Sequence, residues 1–187
     1  YFFPLIALST FLCYYYNKEK LRAILSNLRP LKSMMFVIVV ILGSLAATKL
    51  RYNAEVFKIF LATIIPFFGW QFSIVINDIY DYEIDKITNK NRPLVKKIIS
   101  KNDYKFVALI IAFFALSFSA ILSLKIFLLT ILGLVLGVIY SIPPIRLRKY
   151  IVGNLIMGIS LVISFSIGFL IANDFRLLLH RKNLIFI

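Results

Sequence analysis

Residues 57–85 read FKIFLATIIPFFGWQFSIVINDIYDYEID, an apolar run that ends in an amide and four carboxylates. The run at 57–76 has the length, roughly 17–25 residues, that carries a helix across hydrocarbon. Its end gathers Asn77, Asp78, Asp81, Glu83 and Asp85, whereas the only other acidic residues in the chain are Glu19, Glu55, Asp103 and Asp174. On a helix advancing about 100° per residue with Asn77 at zero, Asp81 lies at about 40°, Asp85 at about 80° and Asp78 at about 100°. Glu83 falls at about 240°, on the far side. One helix face therefore presents three carboxylates and an amide where a membrane span ends.

Working outward, further apolar runs lie near 2–16, 33–48, 106–124, 126–145 and 151–172 of the 187-residue chain. The composition is 61% hydrophobic with a mean hydropathy of +0.91, well above the roughly 45–50% apolar content of soluble domains. Continuous rather than alternating apolar runs exclude a barrel, so the expected fold is all-α, a polytopic membrane bundle of about six helices. Gly133 and Gly137 form a small-xxx-small pair expected to serve helix packing. The chain opens with Tyr1 inside an apolar run and stops at Ile187, and it reads as part of a longer protein. Residues 1–16 lack the cationic start and small-residue cleavage pattern of a signal peptide, and Tyr14, Tyr15 and Tyr16 resemble an interfacial anchor.

The formal charge of +14 would suggest nucleic acid for a soluble protein. Here the cations fall between spans. With alternating helices, most Lys and Arg residues cluster at 18–32, 86–105 and 146–149, while the opposite side holds Lys49, Arg51, Lys58, Lys125, Arg176, Arg181 and Lys182. The richer side, where the acidic helix ends, is expected to be cytoplasmic, and no nucleic-acid partner is implied. Cys13 is the only cysteine and His180 the only histidine, which excludes an internal disulfide and a thiolate metal site. No Gly-rich nucleotide loop, HExxH or nucleophile elbow is present.

Two loops stand out. Across 80–105 the acids give way to Lys90-Asn91-Arg92-Pro93-Leu94 and then Lys96-Lys97, with Pro93 expected to end any helix and Asn102 or Asp103 to cap the next. Across 140–149, Pro143 and Pro144 stop the fifth helix before Arg146, Arg148 and Lys149.

A carboxylate at the bilayer centre costs about 2.5–3.5 kcal/mol on insertion scales, so three on one face must meet water, a cation or one another. They are expected to return that cost only as ligands. Oxygen donors on a rigid face suit Mg²⁺, which takes one or two carboxylates together with phosphates and waters. Lys90, Arg92, Lys96 and Lys97 repel a bare cation and attract a polyanion, and Arg92 can clamp phosphate in a bidentate manner. A diphosphate on an isoprenoid tail satisfies both demands, with room for the tail expected between the helices at 57–76 and 106–124. The chemistry is ionisation of an allylic carbon–oxygen bond, with metal and bases stabilising the departing diphosphate. Two competing readings are a cation transporter, against which the basic collar argues, and a non-catalytic membrane subunit that keeps a lipid-binding half-fold.

Asn77-Asp78-x-x-Asp81-x-x-x-Asp85, followed by Asn91-Arg92-Pro93-Leu94, resembles the first aspartate-rich motif of the UbiA superfamily of intramembrane prenyltransferases. Leu28-Arg29-Pro30 and Tyr140-Ser141-x-Pro143-Pro144-x-Arg146-Leu147-Arg148 are similar to further family segments. Within the superfamily, the pattern looks most like archaeal geranylgeranylglyceryl phosphate prenyltransferases and chlorophyll synthases. The resemblance runs over about 28–172. It implies an additional amino-terminal transmembrane helix and basic linker at 1–27 and a partial prenyltransferase domain with five core helices at 28–187. It also implies a second aspartate-rich motif, for which Asp174 is the only carboxylate after Asp103. By position, Asn77, Asp78, Asp81 and Asp85 are the expected Mg²⁺ ligands, with Asp78 in a supporting place. Asp81, Asp85 and Tyr140 are the expected catalytic residues, and Arg92, Lys90, Arg146 and Arg29 the expected diphosphate contacts. The expected partners are a prenyl diphosphate donor, a lipid or aromatic acceptor, membrane lipids and a further membrane protein. Val95-Lys96-Lys97 departs from the family, many of whose members have a Gly-containing turn there.

Overall fold

The computed structural model describes residues 17–47 and 56–185, with side chains described as far as 172. The expected helix at 2–16 lies outside the described residues. The elements are α1 (Lys18–Ser26), α2 (Pro30–Ala47), α3 (Val56–Tyr80), α4 (Tyr82–Thr88), α5 (Lys101–Leu122), α6 (Leu124–Ser141), a 3₁₀ turn (Leu147–Lys149) and α7 (Val152–Ile185). Five of these helices are long and apolar enough to cross a membrane: α2, α3, α5, α6 and α7 through Ala172. Leu31, Phe57, Leu109, Phe113, Leu124 and Val162 all lie more than half exposed, the placement expected of side chains that meet lipid rather than water.

Local sequence sets the boundaries. Pro30 opens α2, where its missing N–H has no helical partner to lose. Ser100, and neither Asn102 nor Asp103, is the cap of α5: its hydroxyl accepts from Asp103 N at 3.1 Å while the Asp103 carboxylate accepts from Ser100 N at 3.0 Å, forming a capping box. Ser123 closes α5 and caps α6, so those helices turn with no intervening loop. α6 stops at Ser141, just short of Pro143.

The linker expected at 17–27 contains α1, a short helix docked by Ala23 into a cluster with Phe72, Val75, Ile79, Ile99, Tyr104, Ala108 and Leu134. Lys20 of α1 reaches Asp103 at 2.8 Å. A second cluster, Val40, Ala62, Ile65, Phe118, Ile126, Ile163, Ile167 and Ile171, joins the five spans. α3 is central, packing on α2, α5, α6 and α7. Gln71 of α3 donates from Nε2 to Ser33 Oγ of α2 at 2.7 Å, an interhelical bond that satisfies a buried amide.

Helices α2 and α7 cross closely at two glycines. A Cβ on Gly43 would lie 2.1 Å from Phe165 O, and one on Gly168 would lie 1.9 Å from Val40 O. The pair singled out from sequence behaves differently at its two ends. Gly137 abuts Ser73, where a Cβ would meet Oγ at 2.3 Å, whereas Gly133 has no neighbour within 4 Å and borders a cavity.

Candidate active site

The acidic segment spans a helix break. α3 ends at Tyr80 and α4 starts at Tyr82, with Asp81 between them at φ −91°, ψ 1°. The i→i−4 ladder nevertheless continues, with Asp81 N to Asn77 O and Asp85 N to Asp81 O both at 2.8 Å. The shared face is thereby preserved, and Asp78, Asp81 and Asp85 are all buried, while Glu83 is exposed and pairs with Lys86 at 2.9 Å.

Each buried carboxylate faces guanidinium groups from other segments. Asp78 Oδ2 accepts from Asn27 Nδ2 at 2.6 Å, and its Oδ1 pairs with Arg92 and lies 3.8 Å from Arg29 Nη2. Asp85 Oδ2 is 2.7 Å from Arg92 Nη1, and its Oδ1 accepts from Asn89 Nδ2 at 3.0 Å. Asp81 pairs with both Arg146 and Arg148, and Arg148 Nη1 also donates to Asn77 Oδ1 at 2.7 Å. Each of the three acids therefore has a guanidinium partner within the fold, which offsets part of the cost of burying its charge. Four guanidiniums face three carboxylates, so the site attracts anions.

Backbone geometry places these cations. Arg146 sits at φ 35°, ψ 57° and opens the 3₁₀ turn that carries Arg148. A non-glycine residue in the left-handed region is held there by its surroundings, and the Asp81 pairs supply that hold. Lys97 adopts φ 57°, so lysine makes a turn of the kind for which the family resemblance leads one to expect glycine.

Beside the acids lies a cavity of about 300 Å³, at the low end of the roughly 300–1,000 Å³ typical of ligand sites. Its polar end carries Asn77, Tyr140, Arg148 and Arg29, and its apolar walls include Ile65, Leu129, Leu134, Ile156, Ile163 and Ile167. The walls come from α2, α3, α6 and α7. The expected room between α3 and α5 is absent from it, because Phe114 and Phe118 of α5 stack on Phe68 of α3 at 6.0 and 6.2 Å and close that seam. Gly69 and Gly133, neither of which has a neighbour within 4 Å of an added Cβ, keep the cavity open.

The structure thus gathers the predicted residues into two neighbouring networks, Asn77 and Asp81 with Arg146 and Arg148, and Asp78 and Asp85 with Arg29 and Arg92, and sets Tyr140 on the cavity wall. Lys90 stands apart, in an outer cleft with Arg29 and Arg92. Arg148 and Asn27 were missing from the predicted site. Arg148 was legible as the second cation after Pro143-Pro144, whereas Asn27, the residue closing a nine-residue helix, carries no sequence signal. Among the described residues, no three Asp, Glu, His or Cys side chains form a ready-made metal cage. The donors still suit a hard cation that completes its shell with ligand oxygens: carboxylates and an amide oxygen, with Asp85 Oδ2 buried and without an aligned hydrogen bond.

The UbiA prenyltransferase family model matches residues 33–180. Digeranylgeranylglyceryl phosphate synthase of Methanosphaera stadtmanae is 33% identical over 150 residues, covering 80% of this chain and 53% of that protein. A solved structure concerned with digeranylgeranylglyceryl phosphate synthase in membranes superposes with a TM-score of 0.72 at 27% identity, over 80% of this chain and 52% of the other. A UbiA homologue from Archaeoglobus fulgidus bound to GPP and Mg²⁺ shares the fold, with a TM-score of 0.71 at 24% identity over 80% of this chain and 54% of the other. The chain spans about half the length of these relatives.

Proposed function

The chain belongs to the UbiA prenyltransferase family, and from that premise we propose that the protein carrying it transfers a prenyl group from a prenyl diphosphate to a lipid acceptor inside the membrane. The observation that carries the reading is the buried triad Asp78, Asp81 and Asp85, faced by Arg29, Arg92, Arg146 and Arg148 beside an apolar cavity. Mg²⁺ is the proposed cofactor, held by Asn77, Asp81 and Asp85, and when bound it neutralises charge on the departing diphosphate.

Arg92, Arg146 and Arg148 bind the diphosphate oxygens, exchanging carboxylate partners for phosphate ones. Guanidinium groups suit that exchange because their planar fork matches either partner. Asp78 holds Arg92 in place, and through Asn27 it fixes the start of α2. The isoprenoid tail lies along Ile65, Leu129, Ile163 and Ile167, whose apolar surfaces exclude the water that would capture an electron-poor carbon. Tyr140 lines the same wall and offers a π-face to that carbon. The allylic carbon–oxygen bond breaks with its electron pair leaving on the diphosphate, and the acceptor oxygen forms the new bond as it loses its proton. A lipid acceptor is favoured by the relative named digeranylgeranylglyceryl phosphate synthase. The cation-rich loops support a cytoplasmic position for this site.

The test is transfer from radiolabelled prenyl diphosphates to extracted membrane lipids by the full-length polypeptide in nanodiscs. A labelled lipid product that needs Mg²⁺ and vanishes with EDTA is expected. The absence of both product and diphosphate release, with the protein folded, contradicts the reading.

A further inference from the structure

We propose that Tyr104 is a positioning residue for the transfer: as Arg92 turns from Asp78 to the diphosphate, the buried Tyr104 hydroxyl takes its place on the Asp78 carboxylate. The assignment rests on the prenyl-transfer reading. It concerns a polar group that packing alone does not explain.

Local sequence fixes the ring. Ser100 and Asp103 form the capping box that opens α5, so Tyr104 is the fourth residue of that helix and Ile99 the residue before its cap. These two places pair as a hydrophobic staple, and both side chains enter the cluster on which Ala23 of α1 docks. A staple needs only an apolar body, which phenylalanine also supplies. The hydroxyl is left over: Tyr104 is 2% exposed, and its oxygen has no hydrogen-bond partner among the described residues. Burying a polar group unpaired costs free energy, so native folds rarely keep one without a use.

The surroundings of that hydroxyl indicate the use. Val75 and Ile79, which flank Asp78 in α3, share the cluster with Tyr104, and Asp78 and Arg92 are the two charges that act on the phenol. At rest those charges form an ion pair, and their fields at the phenol oppose one another. Diphosphate removes the balance. Arg92 turns its guanidinium to phosphate oxygens, and Asp78 keeps Asn27 on Oδ2 but loses its partner on Oδ1. At 1% exposure this carboxylate has little access to solvent that could replace the guanidinium. The Tyr104 O–H, which rotates to suit its acceptor, turns to the uncompensated charge and donates a charge-assisted hydrogen bond. The proton stays on the phenol oxygen throughout.

Arg29 is the rival for Oδ1, at 3.8 Å. It also lines the apolar cavity, where its donors face the same diphosphate that draws Arg92 away. Tyr104 lines neither the cavity nor the outer cleft, so its hydroxyl stays with Asp78. Without it, moving Arg92 to the diphosphate would strand a buried charge, and that cost would be subtracted from donor affinity.

The experiment uses the full-length polypeptide in nanodiscs and Tyr104→Phe, which keeps the ring and removes only the hydroxyl. It measures the melting temperature without ligand, and equilibrium binding of a prenyl diphosphate and of inorganic diphosphate with Mg²⁺, for the native protein, Tyr104→Phe, Asp78→Asn and the double variant. The expected result has opposite signs in the two readouts. Tyr104→Phe melts at or above the native temperature, because an unpaired buried donor is gone, yet binds both diphosphates about tenfold more weakly, as loss of one hydrogen bond to a charged group predicts. In the Asp78→Asn background the same change costs no further affinity. Unchanged affinity in Tyr104→Phe overturns the assignment and leaves Arg29 to replace Arg92. An equal loss in both backgrounds also overturns it, because the hydroxyl then acts elsewhere than on Asp78. The expected pattern with inorganic diphosphate, in a protein that binds no prenyl diphosphate, supports the role of Tyr104 and counts against the transfer reading alone.

Discussion

Asp81 and Asp85 occupy one helix face yet differ in what surrounds them, and substitution should separate them. Asp81 neutralises two guanidiniums, Arg146 and Arg148, so Asp81→Asn leaves two part-buried cations facing only amides, the new one and Asn77. Breaking a fully buried pair costs about 3–5 kcal/mol, and the 13% and 22% exposure of these arginines reduces that toward the low end. We expect Asp81→Asn to abolish prenyl transfer and to lower the melting temperature measurably. Asp85→Asn, whose partners Asn89 and Arg92 keep other contacts, should abolish transfer with a smaller thermal shift. Equal activity in both variants and the native protein would remove the acids from the site. Lys97 makes a simpler case: Lys97→Gly relieves left-handed strain of about 1–2 kcal/mol, offset in part by the flexibility glycine adds to the unfolded chain. Its melting temperature should match or exceed that of the native protein, whereas Lys97→Val should melt lower. The facial set of Asn77, Asp78, Asp81 and Asp85 was legible from a 3.6-residue period alone. The pairing of each acid with a particular arginine was not, because it depends on where the 3₁₀ turn and the α1–α2 junction fall in space.

Among the elements, the glycines divide into those that close helix contacts and those that open space. Gly168→Ala drives a Cβ to 1.9 Å from Val40 O, and since backbone cannot yield as a side chain does, we expect α2 and α7 to separate at a cost of about 1–3 kcal/mol. Gly133→Leu meets nothing within 4 Å at its Cβ and should leave folding intact while filling the cavity, so prenyl diphosphate binding falls. Thermal melts and donor binding for the two variants should show opposite patterns; the same loss of stability in both would refute the division. The five described spans followed from apolar run length, and the stop of α6 at Ser141 from the prolines after it, whereas α4 ends at Thr88, before Pro93 can act. Which helices enclose the cavity was misread, because run length says nothing about neighbours: the Phe68, Phe114 and Phe118 stack seals α3 against α5. The capping residue was misplaced for a related reason. Asp103 does cap reciprocally, but from inside the first turn, where a carboxylate and a preceding Ser100 are hard to tell apart by sequence.

At the scale of the molecule, the distribution of charge leads to a testable orientation. The cation-rich loops should lie in the cytoplasm. In a Cys13→Ser background, Lys90→Cys should react with a membrane-impermeant maleimide from the cytoplasmic face and Lys125→Cys from the opposite face; the reverse pattern would invert the site. The five described spans place three buried acids and four arginines beside an apolar cavity, and the proposed role of that cluster is to bind a metal-bound diphosphate. The most direct test of that claim is equilibrium binding of a radiolabelled prenyl diphosphate to the full-length protein in nanodiscs, with and without Mg²⁺, for the native sequence and Asp85→Asn. The account predicts saturable binding that disappears on chelation and is absent from the variant, and undiminished binding without Mg²⁺ in both proteins would contradict it.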